Sequence, residues 1–334
     1  MAGTIKDIAQ KTGLGLATIS KYLNGGHVLD KNRIAIERAI RELDYHVNSF
    51  ARGLKTSRSK TIGVVIPELR SEFCTGIITI AEDILRKSGY GVLVCDCRTD
   101  DALECEAVKF LVNRMVDGII NMPVSGRGEH LEIPLAKDIP VVLLDRLIEG
   151  VRADAVLLDN RDAACRAMGM LLSAGHRRIG IVCGDRSVYT TGRRLAGYGE
   201  ALAGYGLSVE ESLTEYGEYT VQGGYDAMKR LLAANREMTA AFVTNYDMTL
   251  GAVMALNEAG IRVPEDLSFI GFDNVQVAQV VKPPLTIVVQ PIAKIAETAA
   301  EILLSRLAGG GGRAPQIVRL KAEILGGRSV TSPA

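Results

Sequence analysis

Apolar residues near the start of the chain recur at the spacing of two short helices. Ile5 and Ile8 fall on one face of the first segment, and Ile19 and Leu23 lie four residues apart in the second. Thr4 stands in the position of a helix cap, and two glycines interrupt the pattern between the segments. The pattern therefore predicts two helices joined by a tight turn, which is the arrangement of a helix-turn-helix motif.

A third helical pattern follows at about residues 31–43. Its apolar positions are expected to close a small three-helix core and are Ile34, Ile36, Ala39, Ile40 and Leu43. The second helix keeps small, hydroxyl and basic side chains away from this core, namely Leu16, Ala17, Thr18, Ser20 and Lys21. Such a face suits the major groove of DNA, although a solvated helix pair in an enzyme would also fit. We predict a DNA-binding helix-turn-helix domain over residues 1–46.

Charge is distributed unevenly between the two ends of the chain. The first 60 residues contain 11 lysines and arginines against 5 aspartates and glutamates, whereas the whole chain contains 39 of each kind. The remainder therefore carries an excess of acidic residues. A basic segment attached to an acidic body indicates a polyanion as the partner of that segment alone.

A segment poor in core residues, 47–60, follows and is interpreted as a hinge or linker. Asn48 could cap a short helix that ends near Leu54, but a glycine within it lowers its stability, so we expect the helix to form on DNA. There Leu54 would enter a minor groove between base steps, while Arg52 and Lys55 would face phosphates. An ordinary packing role for Leu54 is equally compatible with the sequence.

Beyond residue 60 the chain alternates short apolar runs with helical patterns. Runs such as 61–66 and 141–144 are separated by helical patterns such as 103–113 and 162–174. Buried strands that alternate with helices form parallel sheets covered on both faces. The sequence thus predicts an α/β fold with two doubly wound parallel-sheet lobes.

Polar side chains follow several of the predicted strands. Asp145, Asn245 and Asp273 each come just after an apolar run. Because ligands bind beyond the carboxyl ends of parallel strands, these residues and Arg194 would offer donors and acceptors to the hydroxyls of a sugar. Two aromatic residues could supply flat apolar faces for a sugar ring, Phe73 and Tyr219. The alternative is that the two aspartates cap helices and that Arg194 pairs with one of them.

Eight short motifs occur in an order that resembles the lactose-repressor/galactose-repressor family of bacterial transcription regulators, over essentially the full length. They are Ile5-Lys-Asp-Ile-Ala, Ala17-Thr-Ile-Ser-Lys-Tyr-Leu-Asn-Gly25, Ala51-Arg-Gly-Leu54, Lys60-Thr-Ile-Gly-Val-Val-Ile-Pro67, Val116-Asp-Gly-Ile-Ile120, Gly175-His-Arg-Arg-Ile-Gly180, Val263-Pro-Glu-Asp-Leu267 and Pro283-Pro-Leu-Thr286. The resemblance implies lobes of periplasmic-binding-protein type that bind a small-molecule effector, often a sugar, in a homodimer that binds operator DNA.

The resemblance also implies how the effector-binding domain, 61–334, divides. Lobe one is expected at about 61–159 and 291–320, and lobe two at about 160–290 and 321–334. The predicted DNA-binding residues are Thr4, Leu16, Ala17, Thr18, Ser20, Lys21, Asn24, Asn48, Arg52, Leu54 and Lys55. The predicted effector-binding residues are Phe73, Asp145, Arg194, Tyr219, Asn245, Asp273 and Gln290.

Several positions depart from the pattern of the family. Gly15 stands where the family often has a serine that reaches phosphate, Val47 where it usually has a proline, and Lys21 where arginine is commoner. Many relatives have Asn-Asp where this chain has Asn245-Tyr246, and Asn-Pro-Phe-Phe where it has Ser71-Glu-Phe-Cys74. The last two departures leave the identity of the sugar open.

The expected function is repression, which is the commoner outcome among relatives. An effector would change the spacing of the two first lobes across the dimer and so permit or forbid ordering of the hinge on DNA. An apolar helix near residues 77–85 could contribute a dimer face, although most of its stripe would be core. The competing interpretation is a soluble sugar-binding protein or a sugar-modifying enzyme with a basic accessory head, which would need a base or nucleophile in the cleft.

Other chemistry is weakly represented. Six cysteines without a Cys-x-x-Cys pair, and the lack of a signal peptide or long apolar span, indicate reduced thiols in a cytoplasm. Cys95 and Cys97 lie two residues apart, but the four histidines are scattered, so no metal site is expected. The sequence holds neither a phosphate-binding loop with its lysine nor a Gly-x-Ser-x-Gly elbow. We therefore predict no catalytic residue and no cofactor.

Overall fold

The computed structural model describes residues 4–23, 26–45, 58–310 and 314–333. Its contacts divide the chain into two compact units, Met1–Lys60 and Thr61–Ala334. Within the described ranges, no helix combines the length and the apolar character needed to cross a membrane.

The described residues of the first unit form three helices: α1 (Ile5–Thr12), α2 (Leu16–Leu23) and α3 (Asp30–Glu42). α1 begins at a capping box. The Thr4 N–H donates to Asp7 Oδ2 at 2.7 Å, and the Asp7 N–H donates to Thr4 Oγ1 at 3.3 Å. These two bonds satisfy amide groups that the first turn of a helix leaves without a partner.

All three helices contribute to the core of the first unit. Ile8, Ile19 and Ile36 are fully buried there. The prediction that Ile34 joins this core is wrong, because 58% of its surface is exposed. Two residues along a helix correspond to a rotation of ~200°, so Ile34 lies on the side opposite Ile36.

The first lobe of the second unit is a six-stranded sheet covered on both faces. Its strands are β1 (Thr61–Ile66), β2 (Gly91–Asp96), β3 (Gly118–Asn121), β4 (Val141–Leu144), β5 (Asp154–Leu158) and β11 (Ile317–Leu320). They run parallel in the order β11-β5-β4-β3-β1-β2. One face is covered by α4 (Glu72–Lys87) and α12 (Ile292–Ser305), and the other by α5 (Asp101–Asn113) and α6 (Glu129–Ala136). A five-residue π turn, Arg306–Gly310, follows α12.

The second lobe has the same construction. Its strands are β6 (Ile179–Cys183), β7 (Thr214–Tyr216), β8 (Ala240–Val243), β9 (Ser268–Phe272), β10 (Thr286–Val289) and β12 (Glu323–Leu325). Their order is β12-β10-β9-β8-β6-β7, and all pairs are parallel except β10 with β12. One face carries α7 (Asn160–Ser173) and α8 (Tyr189–Gly204), and the other carries α9 (Val221–Ala234) and α10 (Tyr246–Glu258). Two short helices complete the lobe, a 3-10 turn (Glu211–Leu213) and α11 (Val275–Val280).

The chain passes between the two lobes three times. The passages lie between β5 and α7, between β10 and α12, and between β11 and β12. In a parallel sheet all carboxyl ends lie at the same edge, so residues that follow the strands of each lobe are gathered together. The two α/β lobes of the predicted fold class are therefore present, with one antiparallel edge strand added.

Close packing of α9 against α10 generates a stability prediction. A Cβ atom on Gly251 would overlap the carbonyl oxygen of Val221, whereas a Cβ atom on Gly169 in α7 would meet nothing within 4 Å. Gly251→Ala should destabilise the protein by about 2 kcal/mol or more, because the backbone of one helix must move. Gly169→Ala, the matched control, should be neutral or stabilising by up to about 1 kcal/mol. Urea unfolding of both variants measures this, and equal effects would contradict it.

Candidate ligand-binding cleft and nucleic-acid interface

α2 presents a mixed face away from the core of the first unit. Leu16, with 47% of its surface exposed, Ala17 and Lys21 are exposed, and Thr18 and Ser20 are half-buried. The short side chains let the helix approach the base edges in the major groove of DNA, and Lys21 beside them can donate a hydrogen bond. The geometry of this face is thus compatible with a major-groove contact.

The other predicted DNA-binding residues divide into two groups. Thr4 lies at the start of α1, where its hydroxyl donates to Asp7 Oδ2 at 2.7 Å as well as accepting the capping bond. Its side chain therefore has a structural role in the described state. The remaining five lie outside the described residues: Asn24, Asn48, Arg52, Leu54 and Lys55.

Arg194 is fixed where the strands of the second lobe end. It lies on α8 with 5% of its surface exposed, and its Nε donates to Asn160 Oδ1 at 2.7 Å. Its Nη1 donates to the Thr244 carbonyl, and its guanidinium lies 4.0 Å from the centre of the Phe272 ring. A buried guanidinium is tolerated only when its donors are satisfied. Its Nε and Nη1 bonds go to an amide and a carbonyl rather than to an aspartate, while its charge lowers the pKa of Asp273.

Asp273 and Gln290 form a polar pair at the ends of β9 and β10. The Gln290 backbone N–H donates to Asp273 Oδ1 at 2.9 Å, and Gln290 Nε2 donates to Asp273 Oδ2 at 2.7 Å. Burial raises the pKa of Asp273 to about 6, against the opposing effects of Gln290 and Arg194. Within the described chain the buried Gln290 Oε1 has no hydrogen-bond partner. The pair therefore presents an unused acceptor, which a ligand hydroxyl could satisfy.

Asp145 occupies the matching position in the first lobe. Asp145 follows β4 with a φ of 63°, as Asp273 follows β9 with a φ of 62°. The Asp145 N–H donates to the Val156 carbonyl at 3.1 Å, and the Asp273 N–H to the Val288 carbonyl at 2.7 Å. Proximity to Asp145 contributes to the raised pKa of Asp273. The structure therefore brings one carboxylate from each lobe to a common cleft.

Asparagines rather than these aspartates cap the nearby helices. Asn245 Oδ1 accepts the Met248 N–H at 3.1 Å at the start of α10, and Asn274 Oδ1 accepts the Val277 N–H at 3.0 Å at the start of α11. The alternative of Asp273 as a helix cap is therefore wrong. Asn245 combines its capping bond with a position in the cleft.

The two predicted aromatic residues come from opposite lobes. Tyr219 is half-buried and has a φ of 55°. Its hydroxyl lies 2.6 Å from Thr191 Oγ1. Its ring covers Gly184, where an added Cβ atom would collide with the ring. Phe73 is the second residue of α4 and packs against the core of the first lobe. Each therefore has support from its own lobe.

The two segments that depart from the pattern of the resembled family meet across the cleft. Burial raises the pKa of Tyr246 to about 12, and the nearby Glu72 carboxylate of the first lobe raises it further. Burial also raises the pKa of Asp247, and Glu68 and Glu72 of the first lobe raise it further. The mouth of the cleft is thus acidic on both sides.

Two buried residues that bind Arg194 were not predicted from the sequence. Asn160 is 1% exposed and Thr244 is 1% exposed. Both come just after a strand, β5 and β8, so the strand-end rule that indicated Asp145 could have found them. Their bonds to Arg194 show that they position the guanidinium.

The thiols near the cleft are protonated at neutral pH. Burial raises the pKa of Cys74 to about 11 and that of Cys97 to about 12, and it also raises the pKa of Cys95. Metal binding requires thiolates. In the described ranges no group of three or more histidine, cysteine, aspartate or glutamate side chains is arranged to hold a metal ion.

Comparison with known proteins gives matches to both units. Residues 4–48 match the model of bacterial regulatory proteins of the lacI family, and residues 168–330 match a periplasmic binding protein-like domain. The chain is 32% identical to catabolite control protein A of Priestia megaterium over 302 residues, which is 90% of this chain and 91% of that protein. It is 33% identical to the HTH-type transcriptional regulator GalR of Escherichia coli (strain K12) over 304 residues, 90% of this chain and 88% of the relative.

A solved structure gives the same result. The complex of the transcriptional regulator CelR with cellobiose matches with a TM-score of 0.72 and 29% identity, over 98% of this chain and 99% of that chain.

The raised pKa of Asp273 generates a pH prediction. A carboxyl whose pKa rises from 3.8 to about 6 on folding favours the folded state below pH 3.8, and this contribution is lost as the pH rises through 6. Relative to Asp273→Asn, the wild type should lose on the order of 1 kcal/mol, or a few degrees in Tm, between about pH 4 and pH 7. Calorimetric Tm values across this range measure the difference.

Asp266→Asn is the control for this measurement. Arg262 lowers the pKa of Asp266 to about 2, so this carboxyl stays ionised over the same range and its removal should leave the slope unchanged. A wild-type slope that persists in Asp273→Asn would show that the step belongs to other groups.

Proposed function

The chain belongs to the lacI family of bacterial regulatory proteins, and from this premise we propose that it is a sequence-specific DNA-binding repressor whose operator affinity is set by a small molecule, a sugar, bound between its two lobes. The observation that carries the proposal is the relationship to transcription regulators over nine-tenths of the chain. The exposed face of α2 supports the proposed DNA binding, and the acceptor-rich cleft supports the proposed effector binding.

The proposed DNA contacts are centred on α2. Leu16 and Ala17 would touch thymine methyl groups in the major groove, and Lys21 would donate to guanine, with the hydroxyls of Thr18 and Ser20 nearby. Lysine offers a point charge rather than the rigid fork of arginine, so one bond rather than a bidentate pair is expected. We extend the proposal to phosphate and minor-groove contacts by residues outside the described ranges: Asn24, Asn48, Arg52, Leu54 and Lys55.

The proposed effector contacts follow from the acceptors in the cleft. Asp145 and Asp273 approach from opposite lobes, and Gln290 supplies a buried oxygen without a partner in the described chain. Vicinal hydroxyls donate well to such a set. Tyr219 and Phe73 provide aromatic surface for a sugar ring, and Arg194 and Asn245 complete the proposed site. An enzyme remains the second candidate only if turnover is found that depends on Asp145.

We propose a homodimer on the evidence of the first sheet. β2 lies at the edge of that sheet, and Leu93 and Val94 are 36% and 42% exposed there. An exposed apolar edge favours pairing with a second copy. The predicted contribution of α4 is small, because Ile77, Ala81 and Leu85 are buried in the core of the lobe. A change in lobe spacing on effector binding would then reach both hinges of the dimer.

The DNA half of the proposal predicts a specific loss for Lys21→Ala. With an operator selected from randomised duplexes, the variant should bind about tenfold more weakly and discriminate less at one base pair, because a guanine contact is lost. Wild-type affinity should fall steeply with salt. Fluorescence anisotropy titrations measure both.

Lys31→Ala is the matched control, since Lys31 is an exposed lysine on α3 rather than α2. It should change affinity less and leave base discrimination unaltered. Binding that is absent, or insensitive to salt, would refute the proposed DNA contacts.

The effector half predicts that a sugar raises the melting temperature. At a ligand concentration 100 times its Kd the gain is about 2.7 kcal/mol, or several degrees. Among mono- and disaccharides screened by thermal shift, the active compound should also alter operator binding. Asp145→Asn should abolish the shift, whereas Asp138→Asn should not, although both aspartates have a positive φ that asparagine tolerates. A shift with purines or phosphorylated metabolites instead of sugars would overturn the proposed ligand class.

A further inference from the structure

Three of the buried polar side chains in the first lobe, all outside the predicted effector-binding set, lie next to one another. Glu104 on α5 is 1% exposed, Asn121 at the end of β3 is fully buried, and His130 on α6 is 6% exposed. Buried groups of this kind cost free energy unless they are bonded to one another or to the backbone. Polar side chains buried in the core of a lobe at such a cost indicate a functional role.

The three side chains form one hydrogen-bonded cluster. Asn121 Nδ2 donates to Glu104 Oε1 at 3.0 Å and lies 3.1 Å from His130 Nε2. Because an amide nitrogen only donates, His130 Nε2 is the acceptor, which makes the imidazole neutral with its proton on Nδ1. Burial lowers the pKa of His130 in agreement with this state. His130 Nε2 is also 3.4 Å from Glu104 Oε1.

The cluster is connected to the cleft through a short loop. The Val124 N–H donates to both Glu104 oxygens, at 3.3 and 3.2 Å. On the other side, Arg146 Nη1 donates to the carbonyls of Pro123 and Val124 at 2.9 Å each. Arg146 Nε in turn lies 3.5 Å from Asp145 Oδ2. The loop is therefore hydrogen-bonded on one side to the buried carboxylate of Glu104 and on the other to Arg146, which contacts the predicted effector-binding residue Asp145.

The charges around Glu104 place its titration near neutrality. Burial raises its pKa to about 7, and Asp101 raises it further, whereas the bonds from Asn121 and Val124 and the charge of Arg146 lower it. The remaining titratable groups that face the cluster are the Cys97 thiol, beside Glu104, and Glu129, beside His130. Both protonation states of Glu104 are thus populated around pH 7.

We propose that Glu104 is a positioning residue for Asp145: when ionised it holds the Val124 amide tightly, and with it the loop to which Arg146 is bonded, and when protonated it holds that amide more weakly, because a neutral carboxyl is a weaker acceptor than a carboxylate. A proton taken from solvent would sit on a Glu104 carboxyl oxygen and neutralise the charge to which the Val124 N–H donates, while His130 Nε2 keeps its bond from Asn121. The Arg146–Asp145 contact then responds to pH from within the lobe. This inference rests on the proposed effector role of Asp145, but its test needs no effector.

The test follows two NMR signals of the full chain from pH 5.5 to 8.5. The methyl groups of Val124, assigned with Val124→Ile, and the side-chain Nε–H of Arg146, assigned with Arg146→Lys, should titrate together in the wild type with a midpoint at about 7. In Glu104→Gln both titrations should vanish, because the group that changes charge is gone. A purely structural role for Glu104 would not give the two signals a common midpoint.

Glu132→Gln is the matched control, since Glu132 is an exposed carboxyl two residues from His130 on α6. It should leave both midpoints unchanged. Flat wild-type signals, or a Val124 titration without one at Arg146, would overturn the proposal, and the wild-type measurement decides this even if Glu104→Gln does not fold. A failed sugar screen would leave this result standing, and failure here would leave the repressor proposal untouched.

Discussion

A single buried guanidinium ties together the strand ends on which the cleft depends. A buried guanidinium is costly without polar partners, and the groups that contact Arg194 come from three separate segments. Asn160 begins α7, Thr244 directly follows β8 and Phe272 ends β9. These segments cannot move apart without exposing the arginine. Asn245 and Asp273, each the next residue after one of its partners, are held in register as a consequence.

At the mouth of the cleft, two separate departures from the family pattern lie next to each other in the structure. Glu72 and Tyr246 lie in different lobes, and each belongs to a segment that departs from the pattern of the resembled family. The structure brings them close enough for the Glu72 carboxylate to raise the pKa of Tyr246. Many relatives have an aspartate at the position of Tyr246, and a neutral tyrosine there avoids charge repulsion with Glu72. Neither substitution has an evident meaning on its own, since the pairing exists only when the lobes face each other.

The sequence predicted the interior of the fold better than its edges. Central strands such as β1 and β4 are apolar along their whole length because both faces are covered, and that pattern is visible without a structure. β11 alternates half-buried and exposed residues at a sheet edge, and β12 has three residues, so both were missed. α4 begins at Glu72 rather than near Ile77, because Ser71 caps it.

The candidate site divides in a similar way. Asp145 and Asp273 could be found because they follow recognisable strands, which is a local signal. The cluster of Glu104, Asn121 and His130 could not, because its members come from three elements and nothing in the local sequence distinguishes a buried glutamate on a helix from a solvated one. Pairing between distant segments decides which polar residues are buried.

The matching left-handed turns at Asp145 and Asp273 give the two lobes the same local construction at the ends of their strands. Each follows the fourth strand of its lobe in chain order, adopts nearly the same φ and bonds to the neighbouring strand through its own amide. In the proposed site, a ligand between the lobes would therefore meet a carboxylate from each side. Residues of one lobe can then change ligand selectivity while the aspartate of the other lobe still binds the ligand, so the same fold can accept new ligands.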